Sequence, residues 1–457
     1  MMRTLASFAE ACGGRLQGED RSYCGVGTDT RTLARGELFV ALRGPHFNGN
    51  DFLAAAQAAG AAGAVVEVPH TSALSQVIVA ESQAALSRAA QHWRGHFAIP
   101  VIGVAGSNGK TSTKEMTAAI LSRLGPCLAT RGNLNNHIGV PLTLLRIDSE
   151  HRFAVVEMGA NLAGDVAALA ELAAPSIGLI TNAGAEHLEG FGTLEGAARA
   201  EGELIEALTA SGIAVINADD EFAPLWRGMT RAKVVTFGLS EDALWRAQDV
   251  HCDVDEQGFK TRFTLFSPLG RAEVALELAG RHNVMNALGA AAAAAGAGAG
   301  LVHIVAGLAS VRAVAGRLQF KRTQGGAWLI DDSYNANPSS VRAAIEVLGE
   351  LDGSKWLVLG DMAELGDFAN SSHTEIGALA RARGIERLFA TGALTPLSVE
   401  AFGAGGQWFA DAQSLAAALA RSLHPQVRLL IKGSRMNRLE RVVAALTGAP
   451  AEAAQGH

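Results

Sequence analysis

Short apolar runs, each closed by glycine or a polar cluster, recur along this chain with helix-period segments between them. In residues 1–97 these runs are Leu38 to Leu42, Ala64 to Val68 and Val77 to Ala80, with an alanine-rich helical stretch near 52–60. From 98 to 316 they are Ile99 to Ala105, Phe153 to Glu157, Ile177 to Asn182 and Ile213 to Asn217. From 317 to 457 they are Trp328 to Ile330, Trp356 to Leu359, Arg387 to Ala390 and Leu429 to Ile431. Runs of this length are strands rather than helices. Strands alternating with helices predict an α/β protein with mostly parallel, doubly wound sheets, whose ligands sit at the carboxyl ends of the strands. Three domains are expected, 1–97, 98–316 and 317–457, with a hinge at Gly316-Arg317-Leu318. The stretch Ala287 to Val302 is mostly alanine and glycine, too weakly apolar to span a membrane, and reads as a close-packed helix and its turn.

One run ends in chemistry. IPVIGVAGSNGKTST (99–113) is a strand that empties into Gly106-Ser107-Asn108-Gly109-Lys110-Thr111, with a helical segment from Ser112 to Arg123 behind it. Glycines let backbone N–H groups turn inward around phosphate oxygens, and the helix N-terminus adds its dipole. Lys110 can reach the β- and γ-phosphates of a nucleotide, and the Thr111 hydroxyl can ligate Mg²⁺. A strict phosphate-loop pattern would place glycine at 104, where this chain has Val104, so the loop is a variant.

Other polar residues gather where an α/β sheet presents its ligands. Glu157 ends a strand beside the loop, and His187 lies a few residues beyond the next strand. A carboxylate and an imidazole in those places suit Mg²⁺, although either alone could serve as a helix cap or a surface residue. RGNLNNHIGVP holds Asn133, Asn135 and Asn136, residues that also form turns without any ligand. GRHN at 280–283 could meet a base or ribose. DDSYNANP (331–338) and GDMAELG (360–366) close later strands with polar residues, and IKGSRMNRLE (431–440) sets Lys432 and Arg435 where anionic groups could be met.

Composition narrows the class. The chain has 457 residues, 49% of them hydrophobic and 18% charged, with net charge −7 and no basic tract, which argues against nucleic-acid binding. Its four cysteines, Cys12, Cys24, Cys127 and Cys252, form no CxxC pair, as expected of reduced thiols. The start, MMRTLASFAEACGG, lacks the apolar core of a signal peptide. A soluble, cytoplasmic protein without membrane insertion is expected.

Taken in order, GSNGKTSTKEM, TRGNLNNHIGVP, EMGAN, TNAGAEHLEGFG, GRHNVMNAL, GRL, DDSYNANP, GDMAELG and KGSR resemble the motifs of the Mur ligases of peptidoglycan synthesis, over residues 28 to 440. DDSYNANP with GDMAELG is most similar to the branch that adds D-Ala-D-Ala. The resemblance implies a small N-terminal α/β domain for a UDP-sugar, a central ATP-binding domain and a C-terminal Rossmann-like domain for the incoming dipeptide. It further implies a monomeric ligase that uses ATP and Mg²⁺ to activate the carboxylate of UDP-N-acetylmuramoyl-tripeptide as an acyl phosphate.

By motif position, Gly106, Ser107, Asn108, Gly109, Lys110, Thr111 and Ser112 would cradle the phosphates. Asn283 would meet the adenine, Arg317 the phosphates and Asp332 the ribose. Thr111, Glu157, His187 and Glu201 would serve the metal, with Lys110, Glu157, His187 and Glu201 catalytic. Thr30 and Arg31 would lie in the uridine-diphosphate region, where Asn48 and Asn50 depart from the family's usual aspartate and histidine. Asn133, Asn135, Asn136, Tyr334, Asn335, Asn337, Lys432 and Arg435 would contact substrate, with Tyr334, Asn335 and Asn337 aimed at the dipeptide.

Glu201 is the largest departure. The resemblance puts a carbamylated lysine there, and no lysine occurs between Lys114 and Lys233. Four readings compete with the D-Ala-D-Ala-adding ligase: a sibling ligase adding a diamino acid, a folylpolyglutamate synthetase, a slow nucleotide switch, and a degenerate ligase that binds without turnover. Only Glu201 prompts the last, and the presence of Lys110, Thr111, Glu157 and His187 opposes it. SYNANP after the third-block aspartate argues against the first two. A further ligand-bearing edge in the third block argues against the switch.

Overall fold

The computed structural model describes residues 3–45, 47–185 and 188–449. It contains three main sheets. The first has the spatial order Arg15–Gln17, Gln76–Ile78, Gly63–Val66, Leu38–Val40, Val26–Gly27, parallel except for its first pair. The second runs Cys127–Ala129, Phe153–Glu157, Val101–Ala105, Ile177–Ile180, Ile213–Asn217, Lys233–Gly238, then Trp245–Asp255, Gly258–Ser267 and Gly270–Leu276. The third is Gln319–Arg322, Trp328–Asp332, Val427–Lys432, Ser354–Gly360, Arg387–Thr391, Gly406–Phe409, with only its first pair antiparallel.

The parallel strands Val101–Ala105, Phe153–Glu157 and Ile177–Ile180 are buried at every residue. Helices cover both sheet faces, which is why these segments read as unbroken apolar runs rather than alternating ones. The helix Arg281–Gly296 packs its alanines against Leu179, Val215 and Phe237, and a turn leads into a second helix, Leu301–Ala309. The close-packed helix expected at Ala287 to Val302 is therefore present, ending at Gly296.

The antiparallel ribbon from Trp245 to Leu276 was not expected. Arg246 to Phe266 mixes polar and apolar residues in rough alternation on either side of a polar turn, and Arg262 pairs with Asp253 at 3.0 Å on its exposed face. The ribbon lengthens the parallel sheet at its free edge and places Phe263, Leu265, Val274 and Leu276 in the core.

The first sheet's helices and the second sheet share one core, in which Phe8, Leu86 and Ala89 join Val101, Val156 and Leu169. Arg3 donates to Leu145 O (2.7 Å) and Ile147 O (2.9 Å), and Trp93 Nε1 to Ile147 O at 2.9 Å. At Gly316-Arg317-Leu318 the backbone is left-handed at both ends, φ +69° at Gly316 and +48° at Leu318. The chain turns there into the third sheet, and Tyr334 N donates back to Gly316 O at 3.1 Å.

Candidate active site

The loop after Val101–Ala105 is held from outside. Gly106 N donates to Glu201 Oε2 at 2.6 Å, Ser107 N to Asn182 O at 2.9 Å, and Asn108 N to Asn182 Oδ1 at 3.0 Å. Glu201 is buried, on the inner face of the helix Leu194–Glu206. The helix Lys110–Leu121 starts directly behind the loop at Gly109, φ +83°, an N-cap residue with no side chain of its own to cap it. Its first-turn amides have no acceptor within the helix and carry the positive end of the dipole, so a phosphate oxygen suits them. Gly109 is needed for its left-handed backbone and because a side chain there would run into the Asn286 carboxamide. Lys110 Nζ lies along the loop, 2.6 Å from Gly106 O and 3.1 Å from Ser107 O.

Glu157 stands on the adjacent strand, in register with Val104. Its Oε1 accepts from Thr111 Oγ1 (3.2 Å) and Asn135 Nδ2 (2.9 Å), while Oε2 is buried with no hydrogen-bond partner among the described residues. A buried carboxylate oxygen left unsatisfied is costly, and a divalent cation would satisfy it. Thr111, Glu157 and Asn135 supply hard oxygen donors of the kind Mg²⁺ prefers, so the residues present fit the ion. Beneath them, the fully buried Lys114 donates to Thr130 O at 2.8 Å, and Thr130 Oγ1 accepts from Glu157 N at 3.0 Å, which holds the carboxylate's strand end in place.

The opposite wall comes from the third sheet. A cavity of about 600 Å³ is lined by loop residues Ser107 to Ser112, by Glu157, Asn133, Asn135 and Asn136, and by Arg317, Asp332, Tyr334, Asn335 and Asn337. Asp332 Oδ2 accepts from Lys432 Nζ at 2.6 Å and Oδ1 from Leu318 N at 3.2 Å; burial pushes this carboxyl upward while Lys432 and Arg317 oppose the shift. The Arg317 guanidinium lies 4.4 Å from the centre of the Tyr334 ring. Asn283, in the first turn of Arg281–Gly296, donates to Ala279 O and accepts from Asn286 Nδ2 at 3.1 Å. Burial, helped by Lys432, pushes the neighbouring His282 down to about 4, so its ring is neutral at ordinary pH.

The structure brings together the expected loop residues, Glu157, Glu201 beneath the loop, the asparagine run, Asn283, Arg317, Asp332, Tyr334, Asn335 and Lys432. Several acquire duties other than the expected ones. Asn136 Oδ1 caps the helix Gly139–Leu144 through Gly139 N at 2.9 Å. Asn337 caps the helix Pro338–Gly349 and bonds Asn108, and Lys432 is engaged with Asp332. Arg435 is not among the cavity's lining residues and faces Glu440 at 3.7 Å. Thr30 and Arg31 lie beside the first sheet, also outside that lining, with Arg31 exposed and paired to Asp29 at 2.6 Å. His187 falls outside the described residues.

His282, inside the GRHN motif, lines the cavity as well, and so do Asn182, Asn286 and Ser339, to which the sequence assigns no role. Asn286 sits three residues after Asn283 and so shares its helix face, a signal the spacing carried.

Loop, carboxylate and facing edge together fit a nucleotide-binding α/β protein whose phosphate loop faces a second unit across one cavity. Family models match most of the chain: the Mur ligase family catalytic domain over residues 22–101, the Mur ligase middle domain over 104–294, and the Mur ligase glutamate ligase domain over 316–435. The chain belongs to the Mur ligase family, and like that family it is an ATP-dependent, ADP-forming ligase. It is similar to the UDP-N-acetylmuramoyl-tripeptide–D-alanyl-D-alanine ligase of Escherichia coli, 43% identical with 97% of this chain and 98% of the relative covered. The ligase of the same name from Bacillus subtilis is 35% identical, covering 98% and 99%. A crystal structure of MurF from Acinetobacter baumannii matches with TM-score 0.90 at 34% identity, over 97% of this chain and 98% of that one. MurF ligase from Thermotoga maritima in complex with ADP matches with TM-score 0.79 at 27% identity, over 93% and 97%.

Proposed function

We propose that this ligase joins D-Ala-D-Ala to the terminal carboxylate of UDP-N-acetylmuramoyl-tripeptide, forming ADP and phosphate, in peptidoglycan precursor synthesis. The supporting observation is the single cavity walled by the phosphate loop and Glu157 on one side and by Asp332, Tyr334 and Asn335 on the other. A nucleotide switch has no use for the second wall.

The chemistry follows from the leaving group. An amine cannot displace oxide from a carboxylate, so a carboxylate oxygen first attacks the γ-phosphorus of ATP, the bond to the β,γ-bridging oxygen breaks, and ADP leaves. The dipeptide amine then attacks the acyl carbon, the C–O bond to phosphate breaks, and the amine loses a proton as the amide forms. In this reading Lys110 and the amides of 109–112 neutralise charge on the transferring phosphoryl group. Asn283 meets the adenine, Arg317 the phosphates, and Asp332 the ribose. Asp332 can still accept there, because each carboxylate oxygen has a further lone pair beyond those taken by Lys432 and Leu318. Thr111 and Glu157 would hold Mg²⁺, which when bound adds positive charge at the phosphates.

Tyr334 and Asn335 face the dipeptide. The division 1–97 for UDP-sugar, 98–316 for ATP and 317–457 for dipeptide belongs to the same reading, with Thr30 and Arg31 on the UDP-sugar side. So does a cytoplasmic monomer. The four cysteines are free thiols, one chain furnishes both cavity walls, and among the described residues no helix is long and apolar enough to cross a membrane.

ADP release should require UDP-N-acetylmuramoyl-tripeptide, ATP and D-Ala-D-Ala together. Full release with the dipeptide omitted, or with meso-diaminopimelate in its place, would overturn the assignment.

Glu201 bears on the same reaction. Through Gly106 N it holds the phosphate loop with a carboxylate that needs no carbon dioxide to form. Activity at mildly acidic pH is therefore expected to be equal with and without added bicarbonate, and Glu201→Ala is expected to lose about tenfold or more, as for a buried charged hydrogen bond. Rescue of the wild-type enzyme by bicarbonate would contradict this.

A further inference from the structure

Asn108 reaches both halves of the cavity. Its backbone is tied to the end of the strand Ile177–Ile180: its carbonyl accepts from Thr181 Oγ1 at 2.7 Å and Asn182 Nδ2 at 2.9 Å. Its side chain crosses to the third sheet's unit. Asn108 Oδ1 accepts from Asn337 Nδ2 at 2.9 Å, and Asn108 Nδ2 donates to Ser339 Oγ at 2.8 Å. Ser339 Oγ donates in turn to Asn337 Oδ1 at 3.0 Å, which closes a ring of three side chains joined across 229 and 231 residues of sequence.

Two features mark the ring as fitted rather than incidental. Asn337 Oδ1 also accepts from Ser340 N at 2.8 Å, so its free rotation is already lost to capping the helix Pro338–Gly349. Gly184, on the loop beyond Ile177–Ile180, leaves just enough room: a methyl there would stand 3.1 Å from both Asn108 Nδ2 and Ser339 Oγ. The two elements joined are the loop that would hold the phosphates and the segment Tyr334-Asn335-Ala336-Asn337 that lines the dipeptide side.

We propose that Asn108, Asn337 and Ser339 are positioning residues that latch the acceptor-bearing unit onto the nucleotide loop. This rests on the ligase reading above. The amine and the acyl phosphate are held by different units, and reaction demands an approach of about 3–3.5 Å, so small errors in how the units meet cost rate. Three neutral hydrogen bonds are strong enough to set that register and weak enough to open for product release. On this account Asn337 acts through the latch, not by touching the dipeptide.

Asn337→Ser keeps an N-cap hydroxyl but is too short to reach Asn108. It is expected to raise KM for D-Ala-D-Ala about tenfold, the worth of one hydrogen bond, with the ATP dissociation constant within about twofold of wild type. Small-angle X-ray scattering with a non-hydrolysable ATP analogue should give a larger radius of gyration for the variant. Ser339→Ala, which leaves the cap untouched, should do the same, and adding Asn108→Ala to Asn337→Ser should add little to the single effect. An unchanged acceptor KM and radius of gyration in both single variants, or fully multiplicative effects in the double variant, would overturn the latch. Absence of dipeptide-dependent ADP release in the wild type would instead overturn the ligase reading, while the scattering comparison would still report on the latch.

Discussion

Lys110→Met lowers ADP release by about a thousandfold, in the range measured when one preorganised charge-stabilising group is removed from a transition state. The reason is geometric. Lys110 opens the helix behind the loop and lies against two loop carbonyls, at 2.6 and 3.1 Å, so its charge is placed before the nucleotide arrives. Methionine keeps most of the apolar stem and removes the charge, so the fold should survive. A coupled assay for ADP and a thermal melt check the two halves of this expectation. Turnover within tenfold of wild type would remove Lys110 from the chemistry, and a collapsed melting curve would make the activity loss uninformative.

Glu157→Gln is expected to separate stability from function. The carboxamide oxygen can keep the bonds from Thr111 and Asn135 that Oε1 now accepts. Oε2, buried with no hydrogen-bond partner among the described residues, is replaced by a neutral NH₂ group, which relieves the desolvation of a charge, so the melting temperature should hold or rise. Activity should fall about 100-fold or more, and the Mg²⁺ concentration for half-maximal rate should increase, because the carboxylate is the charged donor at the fitted site. A variant with wild-type rate and unchanged Mg²⁺ dependence would exclude Glu157 from metal binding. A protein that is both stabilised and inactive is the outcome expected of a site held in a locally unfavourable state for function.

How much of this was legible depended on how local the cause was. Phe153–Glu157 and Ile213–Asn217 occupy the spans that their apolar runs mark out, since strands buried on both faces leave an uninterrupted signal. The ribbon Trp245 to Leu276 was not read because its alternating polar residues suit an exposed sheet edge as well as a loop. Polar residues were harder still. An asparagine at a strand end can bind a ligand, hold a carboxylate, cap a helix or bridge two units: Asn135 holds Glu157, Asn136 caps a helix, and Asn337 both caps a helix and bridges to Asn108.

The sequence by itself determined the phosphate loop, its helix, the carboxylate on the neighbouring strand and the family to which they belong. Each follows from interactions among residues a few positions apart, or from apolar runs whose period is set by backbone geometry. Only the tertiary structure decided that Thr30 and Arg31 stand outside the cavity lining, that Glu201 supports the loop through Gly106, and that Asn108 meets Asn337 and Ser339. Those relations join residues dozens to hundreds of positions apart. Packing of whole sheets and helices sets such distances, and no local pattern carries them.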